Sequence, residues 1–323
     1  MAHELDWRQP AGTVAPVETL DDRAREYILH AKAANTVNAY WSDWADFTRW
    51  CAAYTLPPLP ADAKTVARYL TDLASRAKVS TLQRRLSAIN GAHEAKGFPR
   101  FSVRDEPLKS VWAGIRRVHG VAQQGKAPAV TADIQAMVAE IPDSLGGLRD
   151  RALLLLGFAG AFRRSELVGL RREDVQFTGD GLTILVRHSK TDQEGRGRKV
   201  GIPYGSHRET CPVRSVQAWL AASGITEGPL FRSVNRHGQL QSAALSDKAV
   251  ALIVKRWAAA AGLDASQYAG HSLRAGLATS AAQAGVSERV IMAQTGHKST
   301  DMVRKYIREG SLFRENAAAE VGL

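Results

Sequence analysis

Histidine, arginine, lysine and tyrosine are the side chains that can bind, protonate or attack a phosphate. The C-terminal part of this 323-residue chain carries them at fixed separations. His271 and Arg274 stand three apart in His-Ser-Leu-Arg, so on a helix they are neighbours on one face. His297 follows a glycine, and Tyr306 comes nine residues later. Upstream, Arg163 is joined by Glu166 at the end of an apolar run, and Lys190 lies in a polar connection, His-Ser-Lys-Thr. Guanidiniums suit the oxygens of a phosphodiester under attack, because they stay charged and can bind in a bidentate way. A phenol becomes a nucleophile once a base accepts its proton, and an ammonium can protonate a departing alkoxide. Each residue alone also has an ordinary use. A tyrosine on an apolar stripe packs a core, Glu166 can neutralise Arg163, and a loop lysine is solvated. The ordered set is what points to phosphoryl transfer.

These side chains need elements to hold them. His271 and Arg274 open a helix carrying Leu277, Ala281 and Ala284, which breaks at Gly285. Ser287 is placed to cap the next helix, through Val290, Ile291 and Ala293, and Gly296 ends it and sets His297 on a turn. A last helix from Ser299 or Thr300 carries Met302, Val303, Tyr306 and Ile307 as a stripe. Thr131 caps a helix closed by Pro142, and an apolar helix over 149–161 delivers Arg163, with another starting near Ser165. Between 174 and 203 the period changes. Leu182, Ile184 and Val186 alternate, and 199–202 pairs back on them through a Gly-rich loop that carries Lys190. Residues 213–222 and 243–261 read as further helices.

The first part of the chain has helical periodicity only. Residues 1–17 read as a loose arm and 20–33 as a helix. A longer helix carries Val37, Tyr40, Trp41, Trp44, Phe47, Cys51 and Tyr54, its tryptophans read as core. Prolines at 57, 58 and 60 break it, and helices follow from Asp62 or Thr65, from Ser80 and from Pro107. The expected organisation is an all-helical domain over 18–118, a linker over 119–128 and a mixed domain over 129–323. The fold class is mainly α with a small antiparallel β-sheet, α+β.

Charge names the class of partner. Lys and Arg total 43 against 32 Asp and Glu, a net +11 with pI near 9.9. Residues 1–126 hold 18 basic and 13 acidic side chains and the rest 25 and 19, so both parts are basic. A polyanion such as nucleic acid fits this balance. Cys51 and Cys211 stand far apart in no metal-ligand spacing, which disfavours a disulfide framework or a cysteine-based metal site. The start, MAHELDWRQP, has no basic region followed by an apolar run, and no stretch is long enough to span a bilayer. The expectation is a cytoplasmic protein. There is no P-loop, dinucleotide fingerprint, H-E-x-x-H or G-x-S-x-G.

Taken together, FRRSELVGL, the HSK hairpin, HSLRAG and GHKSTDMVRKYI resemble the tyrosine site-specific recombinases of the phage integrase family, and the helical first domain resembles the DNA-clamping domain of its Cre-like branch. The resemblance implies that Tyr306 is the nucleophile, Arg163 and Arg274 bind the phosphate, His271 accepts the phenolic proton and His297 is a further donor. It implies Glu166 as the supporting acid and Lys190, with Lys199 as rival, as the general acid. It further implies double-stranded DNA with specific target sites as partner, a homo-tetramer on DNA, exchange of the tail 311–323 between protomers, and no cofactor and no metal. Accessory proteins are left open, and nucleoid association is expected when bound. His297 departs from Cre, which has Trp at that position. Arg84, Arg85, Arg116 and Arg117 are candidates for phosphate contacts in the first domain. Two other readings share these residues: a type IB topoisomerase-like nicking and resealing enzyme, and a catalytically idle DNA-binding regulator.

Overall fold

Apolar residues at helical spacing build the first of the two units into which the chain divides in the computed structural model, Met1–Gln123 and Gln124–Leu323. The structure describes residues 34–121, 125–189, 192, 195, 197–297, 299–310 and 321. The expected arm over 1–17 and helix over 20–33 lie outside these residues. The fold is mainly α with small antiparallel sheets.

In the first unit α1 (Ala34–Ala53), α2 (Ala63–Ala74), α3 (Val79–Glu94) and α4 (Leu108–His119) close on Phe47, Cys51, Tyr69, Leu70, Leu82, Ile89 and Trp112. Asp62 starts α2 by accepting a 2.6 Å bond from the Thr65 amide. Trp41 corrects the sequence reading: it is 69% exposed rather than core. It lies six residues before Phe47, about 120° round the helix at 3.6 residues per turn, so it misses the buried stripe. Tyr54, past the end of α1, is also exposed.

Two of the arginines expected to meet DNA pair with carboxylates of α1, Arg84 from an exposed position and Arg85 from a mostly buried one. Arg84 donates to both oxygens of the buried Asp43, at 2.7 and 2.9 Å. Arg85 is 17% exposed and its guanidinium bonds the Asp46 carboxylate and, at 2.6 Å, the Tyr69 hydroxyl. A buried carboxylate left unpaired would cost several kcal/mol; Asp43 is met by Arg84 and, at 3.6 Å, by Arg85, so both arginines tie α3 to α1, and Arg85 also reaches Tyr69 of α2. Arg116 and Arg117 are exposed in the last turn of α4.

The second unit runs α5 (Thr131–Ala139), α6 (Leu145–Ala159), α7 (Arg164–Gly169), β1 (Val175–Phe177), β2 (Gly181–Val186), β3 (Arg198–Pro203), α8 (Pro212–Ser223), β4 (Arg232–Val234), β5 (Leu240–Ala244), α9 (Asp247–Ala260), α10 (Ser272–Gln283), α11 (Glu288–Thr295) and α12 (Thr300–Gly310). Its core gathers Leu153–Leu156 of α6, Val213, Val216 and Trp219 of α8, and the inward side chains of the sheet. β2 pairs antiparallel with β3, Leu182 opposite Ile202 and Ile184 opposite Val200, and β1 adds a third strand. The predicted helix over 243–261 is shorter. Ala243 and Ala244 belong to β5, and Ser246 caps α9 by accepting from the Ala249 amide at 3.1 Å. Alanines raised the helical reading upstream, and the cap decides where the helix begins. The Thr131 cap is likewise corrected: Asp133, in the first turn, accepts from the Val130 amide at 3.1 Å. Among the described residues no helix is long and apolar enough to cross a membrane.

Candidate active site

Phe162, buried in the core, anchors the bend between α6 and α7 and so fixes where Arg163 leaves the interior. Ala161 just before it has φ of +47°, a left-handed conformation that costs about 1–3 kcal/mol in a residue other than glycine. Arg163 then caps α7 together with Glu166. Its amide donates to Glu166 Oε2 at 2.9 Å and its Nη1 to Oε1 at 2.5 Å. The Glu166 carboxylate is fully enclosed.

Arg274 lies on α10, three residues after His271, which stands at the helix start. Its side chain is 1% exposed, among the largest fully buried ones in the chain. Nη1 donates to the carbonyls of Ala161, at 2.8 Å, and Thr295, at 2.5 Å, so it joins the Arg163 bend to the end of α11. Nη2 is buried with no hydrogen-bond partner among the described residues. Burial first, then the neighbouring Arg163, push this guanidinium down to about 10, still charged at neutral pH. A buried donor of this charge is costly unless an anion meets it.

α11 ends at Gly296, whose φ of +66° is the left-handed closure the sequence reading placed there. A β-carbon at Gly296 would also stand 3.0 Å from Nε of Arg198. His297 follows, with Nδ1 2.7 Å from the Thr295 hydroxyl and its ring centroid 6.2 Å from that of Tyr306. Tyr306, on α12, is buried beside Val303 against Ala275, Ala278, Ala282 and Ile291. Its hydroxyl lies 3.1 Å from Nε2 of His271. Met302, expected on the same stripe, is 47% exposed, because one residue is about 100° of helix away from Val303.

Cations surround both histidines. Burial, then Arg274, Arg163 and Arg164, hold His271 below the usual imidazole range. Burial followed by Arg274, Arg163, His271 and Arg198 pushes His297 down to about 4. Both rings are therefore neutral at neutral pH.

The structure brings together Arg163, Glu166, His271, Arg274, His297 and Tyr306. Lys190 lies outside the described residues; Lys199 is an exposed residue of β3 opposite Leu185. Sequence reasoning missed Arg198. Its Nη2 is 3.5 Å from Glu166 Oε2 and its Nη1 donates to the Gln294 carbonyl at 3.2 Å. The available signal was parity, since Arg198 shares a strand face with Val200 and Ile202. Among the described residues no group of three or more His, Cys, Asp or Glu could hold a metal.

Residues 130–311, which span every one of these side chains, match the family model described as Phage integrase family. The chain belongs to the phage integrase family. Within it this integrase-family chain groups with the tyrosine recombinases: it is 45% identical over 304 residues to an integrase/recombinase XerD homolog of Selenomonas ruminantium, covering 93% of this chain and 89% of that protein. Recombinase Cre of Escherichia phage P1 is 26% identical over 322 residues, covering 91% of each. The XerD homolog is therefore nearer than Cre, and the placement in a Cre-like branch rests on a distant likeness. A lambda integrase dimer bound to a COC′ core site has the same fold, with a TM-score of 0.59 at 18% identity, over 90% of this chain and 95% of that one.

Proposed function

We propose that this integrase-family protein is a site-specific DNA recombinase that breaks and rejoins strands through a 3′-phosphotyrosyl link on Tyr306. The observation that carries the reading is the 3.1 Å approach of Tyr306 to a neutral His271, beside two guanidiniums. A phenol with a reference pKa of ~10 needs an acceptor at neutral pH, and an uncharged imidazole with a free nitrogen lone pair is one.

In this reading Tyr306 Oη attacks the scissile phosphorus, its proton passes to His271, and the 5′-oxygen leaves with a proton from Lys190. Arg163 and Arg274 bind the non-bridging oxygens, the buried Nη2 of Arg274 being the donor an oxygen would satisfy. Glu166 aims Arg163, and His297 adds a donor to the phosphate. The phosphotyrosyl bond conserves the energy of the broken one, so a second 5′-hydroxyl can attack it without ATP or a metal. Exchange between two sites then takes four protomers and a four-way junction, with the tail 311–323 docking on a neighbour. Residues 18–118 clamp double-stranded DNA, with Arg116 and Arg117 on phosphates. The protein works in the cytoplasm on nucleoid DNA.

The test is a covalent trap. Wild type and Tyr306→Phe are mixed with a genomic fragment library, quenched in detergent and resolved on a denaturing gel. An adduct in wild type alone supports the reading, and the mapped cut gives the target site. DNA shifted by both proteins with no adduct from either favours an idle regulator. On a supercoiled plasmid run in parallel, relaxation without site preference favours a topoisomerase-like enzyme.

A further inference from the structure

Neutral imidazole carries one N–H, and the nitrogen that holds it decides whether the other gives or receives a hydrogen bond. At His297 that choice is made by Thr295, the fully buried last residue of α11. The Thr295 hydroxyl oxygen lies 2.7 Å from the Ile291 carbonyl and 2.7 Å from Nδ1 of His297. A weaker contact of 3.4 Å reaches the Met292 carbonyl. Contacts as short as 2.7 Å each need a proton between the heavy atoms. The Ile291 carbonyl can only accept, so the single hydroxyl proton lies there, in the back-bond to the residue four earlier that threonine makes in helices. The proton on the other contact must then come from the ring. Turning the hydroxyl toward Nδ1 instead would leave two oxygens 2.7 Å apart with no proton between them.

We infer that Thr295 is a positioning residue that locks His297 as the Nδ1–H tautomer, so that Nε2 carries a lone pair in the DNA-free protein. This rests on the strand-transfer reading for its meaning. A phosphate oxygen offers only lone pairs, so His297 can donate to it through Nε2 only as the cation, after taking one proton from solvent when the DNA phosphate arrives. The anion supplies the drive, because it offsets the guanidiniums that, after burial, hold the ring neutral. His297 thereby becomes a donor only in the presence of its substrate. Without the threonine hydroxyl the ring is released to the Nε2–H form, a donor at all times.

Full-length protein labelled with heavy nitrogen in its histidines is examined without DNA at neutral pH by long-range proton–nitrogen correlation spectra, with His297 assigned by its loss in His297→Gln. Wild type and Thr295→Ser show protonated Nδ1 and bare Nε2; Thr295→Val shows the reverse. In single-turnover cleavage the wild-type rate falls at alkaline pH as bound His297 loses its proton, and Thr295→Val lacks that limb. A wild-type spectrum with protonated Nε2 overturns the inference, as does an unchanged tautomer in Thr295→Val. The spectra need no DNA and no turnover, so a failure of the recombinase reading cannot be mistaken for a failure here.

Discussion

The hydroxyl of Tyr306 and Nε2 of His271 are 3.1 Å apart, though 35 residues separate them in the chain. The contact joins the N-cap of α10 to the middle of α12 and sets the imidazole within hydrogen-bonding distance of the phenol. His271→Gln should slow single-turnover cleavage by ~10²–10⁴-fold, the range for loss of a general base. Raising the pH should recover part of the rate as the phenol ionises by itself. A variant as fast as wild type, or one indifferent to pH, would remove the proton from His271.

Lys190→Ala should slow cleavage far more than Lys199→Ala, because Lys199 alternates to the exposed face of β3. A substrate whose 5′-bridging oxygen is replaced by sulfur needs no proton on departure. That substrate should restore the Lys190→Ala rate and do nothing for His271→Gln. Equal losses at both lysines on the oxygen substrate would overturn the assignment.

Glu166 is enclosed between two cations, Arg163 at 2.5 Å and Arg198 at 3.5 Å. Removing one partner of a buried pair strands the other charges, which costs about 3–5 kcal/mol. Glu166→Ala should therefore lower the thermal midpoint markedly and reduce cleavage together with it. Glu166→Gln, which keeps an acceptor for the Arg163 amide, should lose less stability. A Glu166→Ala protein as stable as wild type would mean these cations are solvated.

Acid should destabilise the second unit through His297. Its native value of about 4 lies below the ordinary 6.5, so the unfolded chain binds more protons between those values. Stability is thus fully present above about 6.5 and is lost as the pH falls toward 4. Thermal midpoints across this window should fall less steeply for His297→Gln than for wild type; parallel curves would refute the assignment.

Gly276 sits where α10 meets the segment before α5. A β-carbon there would come within 1.8 Å of the Ala129 carbonyl oxygen, and the Ala129 amide is already tied to the Ser272 carbonyl at 2.9 Å. Gly276→Ala should cost about 1–3 kcal/mol by forcing the backbones apart, read from a denaturant midpoint. Gly91, which has open space around it, should tolerate the same change.

What could be read from the chain and what could not follow from the range of the interactions. His271 and Arg274, the Gly296 closure and the Tyr306 stripe were legible because local spacing and one left-handed glycine determine them. Arg163 was legible as a cation against an apolar run, and Glu166 as its partner three residues on. Arg198 was hidden among other charges of a Gly-rich connection, since its partners Glu166 and Gln294 are far away in sequence. Arg85 was read as a surface cation because Asp46 and Tyr69 reach it only after three helices pack. Trp41 shows the converse: an aromatic spacing broad enough to wrap a helix cannot say which edge of the stripe stays wet.

Tyr306 and Val303 pack against Ala275, Ala278, Ala282 and Ile291, in a cluster separate from the main core of the unit. Each methyl-sized contact contributes only about 0.8 kcal/mol, while Arg163, Arg274 and Phe162 are anchored elsewhere. α12 is thus seated by a separate packing cluster, so a larger side chain at Ala275, Ala278 or Ala282 would displace the Tyr306 ring without disturbing the main core. The Tyr306 hydroxyl and the Arg274 guanidinium therefore depend on different packing, and a change in one cluster need not carry into the other.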